Sequence, residues 1–422
     1  MEYEYLNIIK EDDCIGCGAC YNKCPVGAIK MDFNDEGFYT PYVDKEKCVN
    51  CGMCEKACPN INFRYTNKKD AKCYAVMAPD EIRMKSSSGG MFTLIAEYVL
   101  NKGGYVCGAA FNKNDWSVEH IIIDNADDLD KLRGSKYVQS NIGKCYKEIE
   151  KLLSAGKYVL FSGTPCQVAG LHSYLNKDFE NLISVDILCH GGASAGIWEK
   201  YLKEEFKENS INNINFRDKT KVGWSCSKTT MTLQNDKVLV TNDYILGFHK
   251  SLINGTQCST CRYSKRPRPG NITLGDFWWI NTYAPEMNDQ NGTSFVLLNN
   301  QKGEEIFNSV KENFQKFKLI NLNDNYSNGC LLGPCPPHKA RQMFFQKIRN
   351  NVPVKIAIKE CLSQNKKPQV KYDKAQHFKT YLNYIRCKIL SKLLLGNKKE
   401  HYKIKIKTLH EKVRYYRKIR NK

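Results

Sequence analysis

Apolar and polar positions change rhythm along the chain and divide it into four stretches: 1–65, 73–200, 201–345 and 346–422. Residues 1–65 are dense in Cys, Gly and Pro with little hydrophobic periodicity, a pattern of tight loops. Residues 73–200 alternate apolar runs with helical spacing. Met91–Leu100 predicts an amphipathic helix closed by Lys102-Gly103-Gly104, with a strand over Tyr105–Phe111 behind it. Tyr158–Ser162 predicts a buried strand and Gly163-Thr164 a turn. A helix then runs from Pro165 to about Leu175, with Thr164 as N-cap and Pro165 in the first helical position. Asn181–Leu188 is a second apolar strand, and strand–short helix–strand implies a right-handed parallel crossover. Residues 201–345 carry more strand and turn signals, including Asn254-Gly255 and the Pro267/Pro269 loop. From 346 onward the pattern is Lys-rich and helical, and TNKKD at 66–70 reads as a linker.

Composition narrows the class. A chain of 422 residues, 42% hydrophobic and 26% charged, is ordinary globular protein, neither fibre nor disordered tract. No run approaches the ~20 apolar residues of a spanning helix. The start, MEYEYLNIIKEDD, is too acidic for a signal peptide, so the expected location is the cytoplasm. The outlier is cysteine, at 20 residues. Without an export signal such a density points to metal or redox chemistry rather than disulfides.

The strongest motif is a repeat. Cys14-x2-Cys17-x2-Cys20-x3-Cys24-Pro25 is the bacterial ferredoxin ligand run, and Cys48-x2-Cys51-x2-Cys54-x3-Cys58-Pro59 repeats it. A cubane needs three thiolates from one tight loop, which Gly16, Gly18 and Gly52 allow; the fourth comes from the other run. That assigns one [4Fe–4S] cluster to Cys14, Cys17, Cys20 and Cys58, and another to Cys48, Cys51, Cys54 and Cys24. Two zinc knuckles are the competing reading, but four cysteines per run, closed by Pro and duplicated, make a poor zinc pattern. The segment resembles a two-cluster ferredoxin of the bacterial type. The expected fold is therefore α+β/α/β, with a ferredoxin-like domain ahead of a mixed α/β body and a basic helical tail.

Further thiols lie in the body. Cys166 falls in the first turn of the predicted helix, where the dipole favours a thiolate. Cys189 follows the next strand, so both sit at the strand-end edge where open α/β sheets bind ligands. With Cys258-x2-Cys261 they would make a third cluster site; otherwise Cys166 and Cys189 are core residues and the CxxC is a zinc half-site or unliganded. No G-x-G-x-x-G follows a strand. Ser86-Ser87-Ser88-Gly89-Gly90 before the first helix suits a phosphate or, more plainly, a serine cap. Gly134-Ser135-Lys136-Tyr137-Val138-Gln139-Ser140 offers a cation and an aromatic ring, or is a surface turn.

In order along residues 73–345, SSSGGMF (86–92), GSKYVQS (134–140), GTPCQVAGL (163–171), DILCHG (186–191), NFRDK (215–219), Gly223-Trp224, CSTC (258–261) and ITLGDFW (272–278) resemble the family of coenzyme F420 hydrogenase/dehydrogenase beta subunits. The resemblance implies an FAD, a body cluster on Cys166, Cys189, Cys258 and Cys261, and two-electron chemistry on a planar partner, coenzyme F420 in archaeal members. It implies FAD contacts at Ser87, Ser88, Gly89, Gly90, Ser135, Lys136 and Tyr137, with Asp276 facing the same site. His190 would be a proton donor beside the flavin or would support Cys189. Two positions depart from the pattern near the presumed substrate face: Trp279 stands where Gly is common, and Gly270-Asn271 where a Ser-Asp pair is common.

Charge singles out the tail. Residues 361–422 hold 19 Lys/Arg and 3 Asp/Glu, or +16 of the formal +20. Tyr384–Leu395 places apolar residues at helical spacing with Arg386, Lys388 and Lys392 opposite. Such a segment is either a solvated tail or a peripheral hold on the anionic inner membrane face. Nucleic acid is the weakest partner, since no recognised binding module accompanies the charge. The combined reading is an iron-sulfur flavoprotein oxidoreductase that exchanges electrons with a redox carrier protein or partner oxidoreductase. Its rival is a non-catalytic electron-transfer subunit of a partner enzyme, in the setting of polysaccharide biosynthesis where similar bacterial proteins occur. Cys73, Cys107, Cys145, Cys226, Cys330, Cys335, Cys361 and Cys387 have no expected role beyond packing.

Overall fold

The computed structural model describes residues 3–62, 67, 71–206, 210–224, 228–322 and 329–363, together with 382, 383, 385 and 406. The chain forms two units, Met1–Cys361 and Leu362–Lys422. In the first, a small antiparallel sheet of β1 (Tyr3–Tyr5), β2 (Ile29–Phe33) and β3 (Tyr39–Asp44), in the order β1-β3-β2, braces the two cysteine runs.

The body then follows as β4 (Lys72–Met77), α1 (Met91–Asn101), β5 (Tyr105–Phe111), β6 (Val118–Ile123), α2 (Cys145–Ser154), β7 (Val159–Gly163), α3 (Pro165–Leu175), β8 (Leu182–Ile187) and α4 (Ala195–Glu205). Next come β9 (Ile211–Asn215), β10 (Thr229–Leu233), β11 (Val238–Thr241), α5 (Asp243–His249), β12 (Ile272–Asp276), β13 (Ser294–Leu298), α6 (Gln301–Val310), β14 (Lys316–Ile320), α7 (Arg341–Arg349) and α8 (Val354–Ser363). One eight-stranded mixed sheet runs β14-β4-β13-β12-β8-β7-β5-β6, and β9 to β11 form a separate three-stranded sheet. The predicted crossover is present: β7 and β8 pair in parallel across α3, within a residue of the expected bounds.

The central strands are apolar because both faces are covered. All five residues of β13, SFVLL, are buried. One face packs Leu94, Ile95 and Val99 of α1 against Ile306, Phe307 and Val310 of α6. The other packs Tyr146 and Ile149 of α2 and Val168 and Leu171 of α3, and this layer also takes in Cys17, Ala19 and Ala57. The cysteine-rich N-terminal segment is thus built onto the body's core.

The expected domain limits differ from this arrangement. β12, β13 and β14 lie beyond residue 200 yet pair with β8 and β4, so the 200/201 division cuts through one sheet. Helices α7 and α8, expected in the tail, belong to the first unit, with Phe344, Phe345, Val354 and Ile358 buried. Of the linker 66–70 only Asn67 is described; its side-chain amide donates to the carbonyls of Arg268 and Gly270. The tail helix Tyr384–Leu395 lies outside the described residues apart from Ile385. Among the described residues no helix is long and apolar enough to cross a membrane.

Candidate functional site

The first predicted ligand set converges. Cys14, Cys17, Cys20 and Cys58 line one pocket, walled by Leu6 and Ile8. Gly16 and Gly18 hold φ of +61° and +72°, the left-handed region that lets this loop turn tightly. A side chain on Gly16 would meet the Tyr39 carbonyl at 2.5 Å. Burial, more than any neighbour, pushes the Cys14 thiol up to about 11 and holds Cys17 and Cys20 well above their ordinary range; charge on Cys58 adds to this. The second set also gathers: Cys48 and Cys54 pack against the small core that contains Cys24, and burial, with charge on Cys48 and Cys51 adding to it, raises the Cys54 thiol. Buried thiols that resist ionisation together are stable as ligands only when a cation neutralises them.

The body thiols form a third group. A cavity of about 460 Å³ lies at the carboxyl edge of β7, β8 and β12 and is lined by Cys166, Cys189, Cys258 and Cys261. The fold explains their meeting. Cys166 sits in the first turn of α3, where the Gln167 carboxamide oxygen accepts from the Thr164 N–H at 3.0 Å. Cys189 follows β8. The CxxC loop is fastened to that strand by Arg268, whose guanidinium bonds Asp186 at 2.6 Å with both side chains fully buried. The same guanidinium donates to the carbonyls of Ile187 and Tyr263. Gly192 N–H donates to the Cys258 sulfur at 3.2 Å. Burial, then charge on Cys261, pushes the Cys166 thiol up to about 12, so a thiolate at this helix start needs a cation beside it. Cys189 is raised by burial and by all three partners, and burial takes Cys258 to about 11.

The residues expected at a flavin divide. Ser87, Ser88, Gly90, Ser135, Lys136 and Tyr137 all line the cavity, whereas Gly89 does not: it packs under β13, against Ser294. Helix α1 is capped by Gly90 at φ +89°, not by a serine. The Ser87 hydroxyl accepts from the Ser135 N–H at 2.8 Å and so ties the two turns together, while Ser88 donates to Thr293 O. Lys136 Nζ donates to the carbonyls of Lys131 and Arg133, both at 2.9 Å. The Tyr137 ring lies against Phe248, with centroids 4.7 Å apart.

Asp276 and His190 both face the cavity but neither stands alone. Asp276 accepts from Arg217 at 2.9 Å and from the Trp224 indole at 2.8 Å. His190 bonds Ser251 Oγ through Nε2 at 3.2 Å and Cys335 Sγ through Nδ1 at 3.3 Å. Trp279, Gly270 and Asn271 do not line the cavity, and Asn271, just before β12, pairs with Ser184 of β8.

Sequence reasoning missed three features. Arg217 is nearly buried and joins Asp276 to the Tyr137 hydroxyl and the Trp224 carbonyl. Trp278 stacks on Trp224 at 5.2 Å beside it. Cys330 and Cys335 line the cavity instead of packing in the core, unlike Cys73, Cys107, Cys145 and Cys361. The motifs NFRDK and Gly223-Trp224 held the signal for the first two, and the spacing Cys330-x4-Cys335 the signal for the third. Cys226 and Cys387 lie outside the described residues.

Comparison with known proteins follows the same division. Residues 13–61 match the 4Fe-4S dicluster domain. Residues 73–147 match the N-terminal model of the coenzyme F420 hydrogenase/dehydrogenase beta subunit, and residues 156–322 its C-terminal model. An F(420)H(2) dehydrogenase subunit of Methanosarcina mazei is 27% identical over 181 residues, 40% of this chain and 50% of that protein. A coenzyme F420-dependent sulfite reductase of Methanocaldococcus jannaschii is 24% identical over 331 residues, 76% of this chain and 51% of that protein. The chain thus spans about half the length of these relatives. A solved chain of the F420-reducing [NiFe] hydrogenase complex from Methanosarcina barkeri aligns with a TM-score of 0.42 at 16% identity, over 69% of this chain and 90% of that one. Behind its 4Fe-4S dicluster domain, this chain belongs to the family of coenzyme F420 hydrogenase/dehydrogenase beta subunits.

Proposed function

We propose that the chain is an iron-sulfur flavoprotein oxidoreductase, passing electrons between three [4Fe–4S] clusters, FAD and a two-electron partner such as coenzyme F420 or a related planar acceptor. The observation that carries this is a shared cavity: four thiols from three distant segments line the same space as the two Ser/Gly turns. The residues fit the groups. All-thiolate donor sets suit Fe–S clusters, and a cavity of about 460 Å³ is of the size that holds a cofactor.

Cys14, Cys17, Cys20 and Cys58 would hold one cluster, Cys24, Cys48, Cys51 and Cys54 the second, and Cys166, Cys189, Cys258 and Cys261 the third. Ser87, Gly90, Ser135, Lys136 and Tyr137 would hold FAD. Bound clusters supply one-electron transfer and a bound flavin couples it to a two-electron step. The thiols of the two runs share one small core: Cys20 and Cys24 are buried in it, and Cys48 and Cys54 pack against it. Tyr263, buried with its hydroxyl donating to the Pro59 carbonyl at 2.9 Å, ties the segment after Cys261 to the run that ends at Cys58. Arg217, paired with Asp276, places its guanidinium on the cavity wall.

The name of the Methanosarcina mazei relative supports F420 as the partner. That relative is one subunit of a dehydrogenase, which favours a second reading, a non-catalytic electron-transfer subunit. The test is anaerobic mixing of purified protein with reduced F420 while flavin and cluster absorption are followed. Bleaching of both without added protein supports the enzyme. No bleaching with F420, but bleaching with a reduced carrier protein, supports the electron-transfer role alone.

A further inference from the structure

We infer that His190, Cys330 and Cys335 form a binding site for one zinc ion on the wall of the cavity, separate from the twelve cluster thiols. Their ligand atoms, His190 Nδ1 or Nε2 and the two sulfurs, all lie within 4.8 Å of one another. Tetrahedral zinc with Zn–S near 2.3 Å and Zn–N near 2.0 Å needs its ligand atoms about 3.5–3.8 Å apart. The His190 Nδ1 to Cys335 Sγ distance, 3.3 Å, is already close to that.

The ring is also held as a ligand ring should be. His190 Nε2 bonds Ser251 Oγ at 3.2 Å, which leaves Nδ1 as the atom turned to the thiols. Ser251 is itself buried and its carbonyl accepts from His338 N–H at 3.1 Å, so the segment that delivers Cys335 is anchored to the residue that orients His190. Phe248 packs against the imidazole at 5.3 Å and gives the site an apolar flank. Two thiolates and an imidazole are borderline-soft donors, which suit zinc and disfavour magnesium or calcium.

Three protein ligands leave the fourth position open, as in catalytic rather than structural zinc sites. Because His190, Cys330 and Cys335 all line the cavity, that position lies on the cavity side, where a water or a substrate oxygen can take it. Binding leaves two thiolates, one neutral imidazole and the dication, a set with no net charge, and any proton still on Cys330 or Cys335 passes to solvent. Zinc here would polarise the substrate bound beside the flavin turns; the site itself does not depend on the flavin or cluster assignments.

The test uses full-length protein purified anaerobically, equilibrated with zinc chloride and desalted. Metal analysis and zinc K-edge X-ray absorption are then compared with Cys330→Ser and Cys335→Ser. The inference predicts about one zinc per chain with two sulfurs near 2.3 Å and one nitrogen near 2.0 Å. It also predicts loss of that zinc in either variant with iron content unchanged. If the variants lose iron as well, the wild-type absorption edge alone decides. Zinc bound by sulfur only, zinc retained in the variants, no stoichiometric zinc, or a Cys330–Cys335 disulfide in the purified protein would each overturn it.

Discussion

Arg268 and Asp186 form an ion pair with no exposed side-chain surface, and they bind the Cys258/Cys261 loop to the strand that ends at Cys189. Removing one partner of such a pair strands a buried charge and costs about 3–5 kcal/mol. Arg268→Leu is therefore expected to lower the unfolding midpoint sharply and to lose about four irons per chain, measured by denaturant titration and iron assay. His120 supplies a pH dependence. It is buried, with Nδ1 unpartnered among the described residues, and burial pulls its imidazole down to about 4. An unfolded histidine titrates near 6.5. Above that pH both states are neutral; between about 6.5 and 4 the unfolded chain takes up a proton that the folded chain refuses, so stability falls as pH falls, by of order 3 kcal/mol. Unfolding measured from pH 7.5 to 5 should show a steeper loss for wild type than for His120→Gln, with acid damage to clusters common to both. At this scale the two N-terminal cysteine runs were legible, because the 4Fe-4S dicluster pattern is written in short fixed spacings. Arg217 and Cys335 were not, since Asp276 and His190, their partners, lie 59 and 145 positions away.

Helix α3 shows why one element could be read so fully and still hide its main constraint. Its start, its end and its parallel neighbours follow from Thr164, Pro165 and two apolar runs. What the pattern did not reveal is Gly170. A methyl there would stand 2.8 Å from Cys17 Cβ and 3.0 Å from its sulfur, so α3 packs directly on the first cysteine run. Gly170→Ala is expected to cost about 1–3 kcal/mol by overpacking. It should also deplete the cluster assigned to Cys14, Cys17, Cys20 and Cys58, seen as a fall in iron and labile sulfide. Full iron with unchanged stability would mean the contact is slack. The strands β12 to β14 were harder to place for a related reason: their turn and strand signals are local, whereas their pairing with β8 and β4 spans more than 80 residues.

In the whole molecule, residues expected as separate domains share one core. Glu36 pairs with the nearly buried Arg341, Asn22 donates to the Gly143 carbonyl, and Tyr263 donates to Pro59. Composition marked the dicluster segment as a module but could not reveal that its partners come from distant stretches of the body. The basic tail is the opposite case, legible as charge alone. Truncation after Ser363 is expected to leave iron content and unfolding of the first unit unchanged while removing salt-sensitive binding to phosphatidylserine vesicles; equal vesicle binding by both chains would contradict a membrane role for the tail. The central claim is that one chain couples three clusters to a flavin. Iron, labile sulfide and flavin measured on anaerobically purified protein test it most directly. About twelve irons, matching sulfide and one FAD per chain are predicted, whereas about eight irons without flavin would contradict the account and leave only the dicluster segment as a redox site.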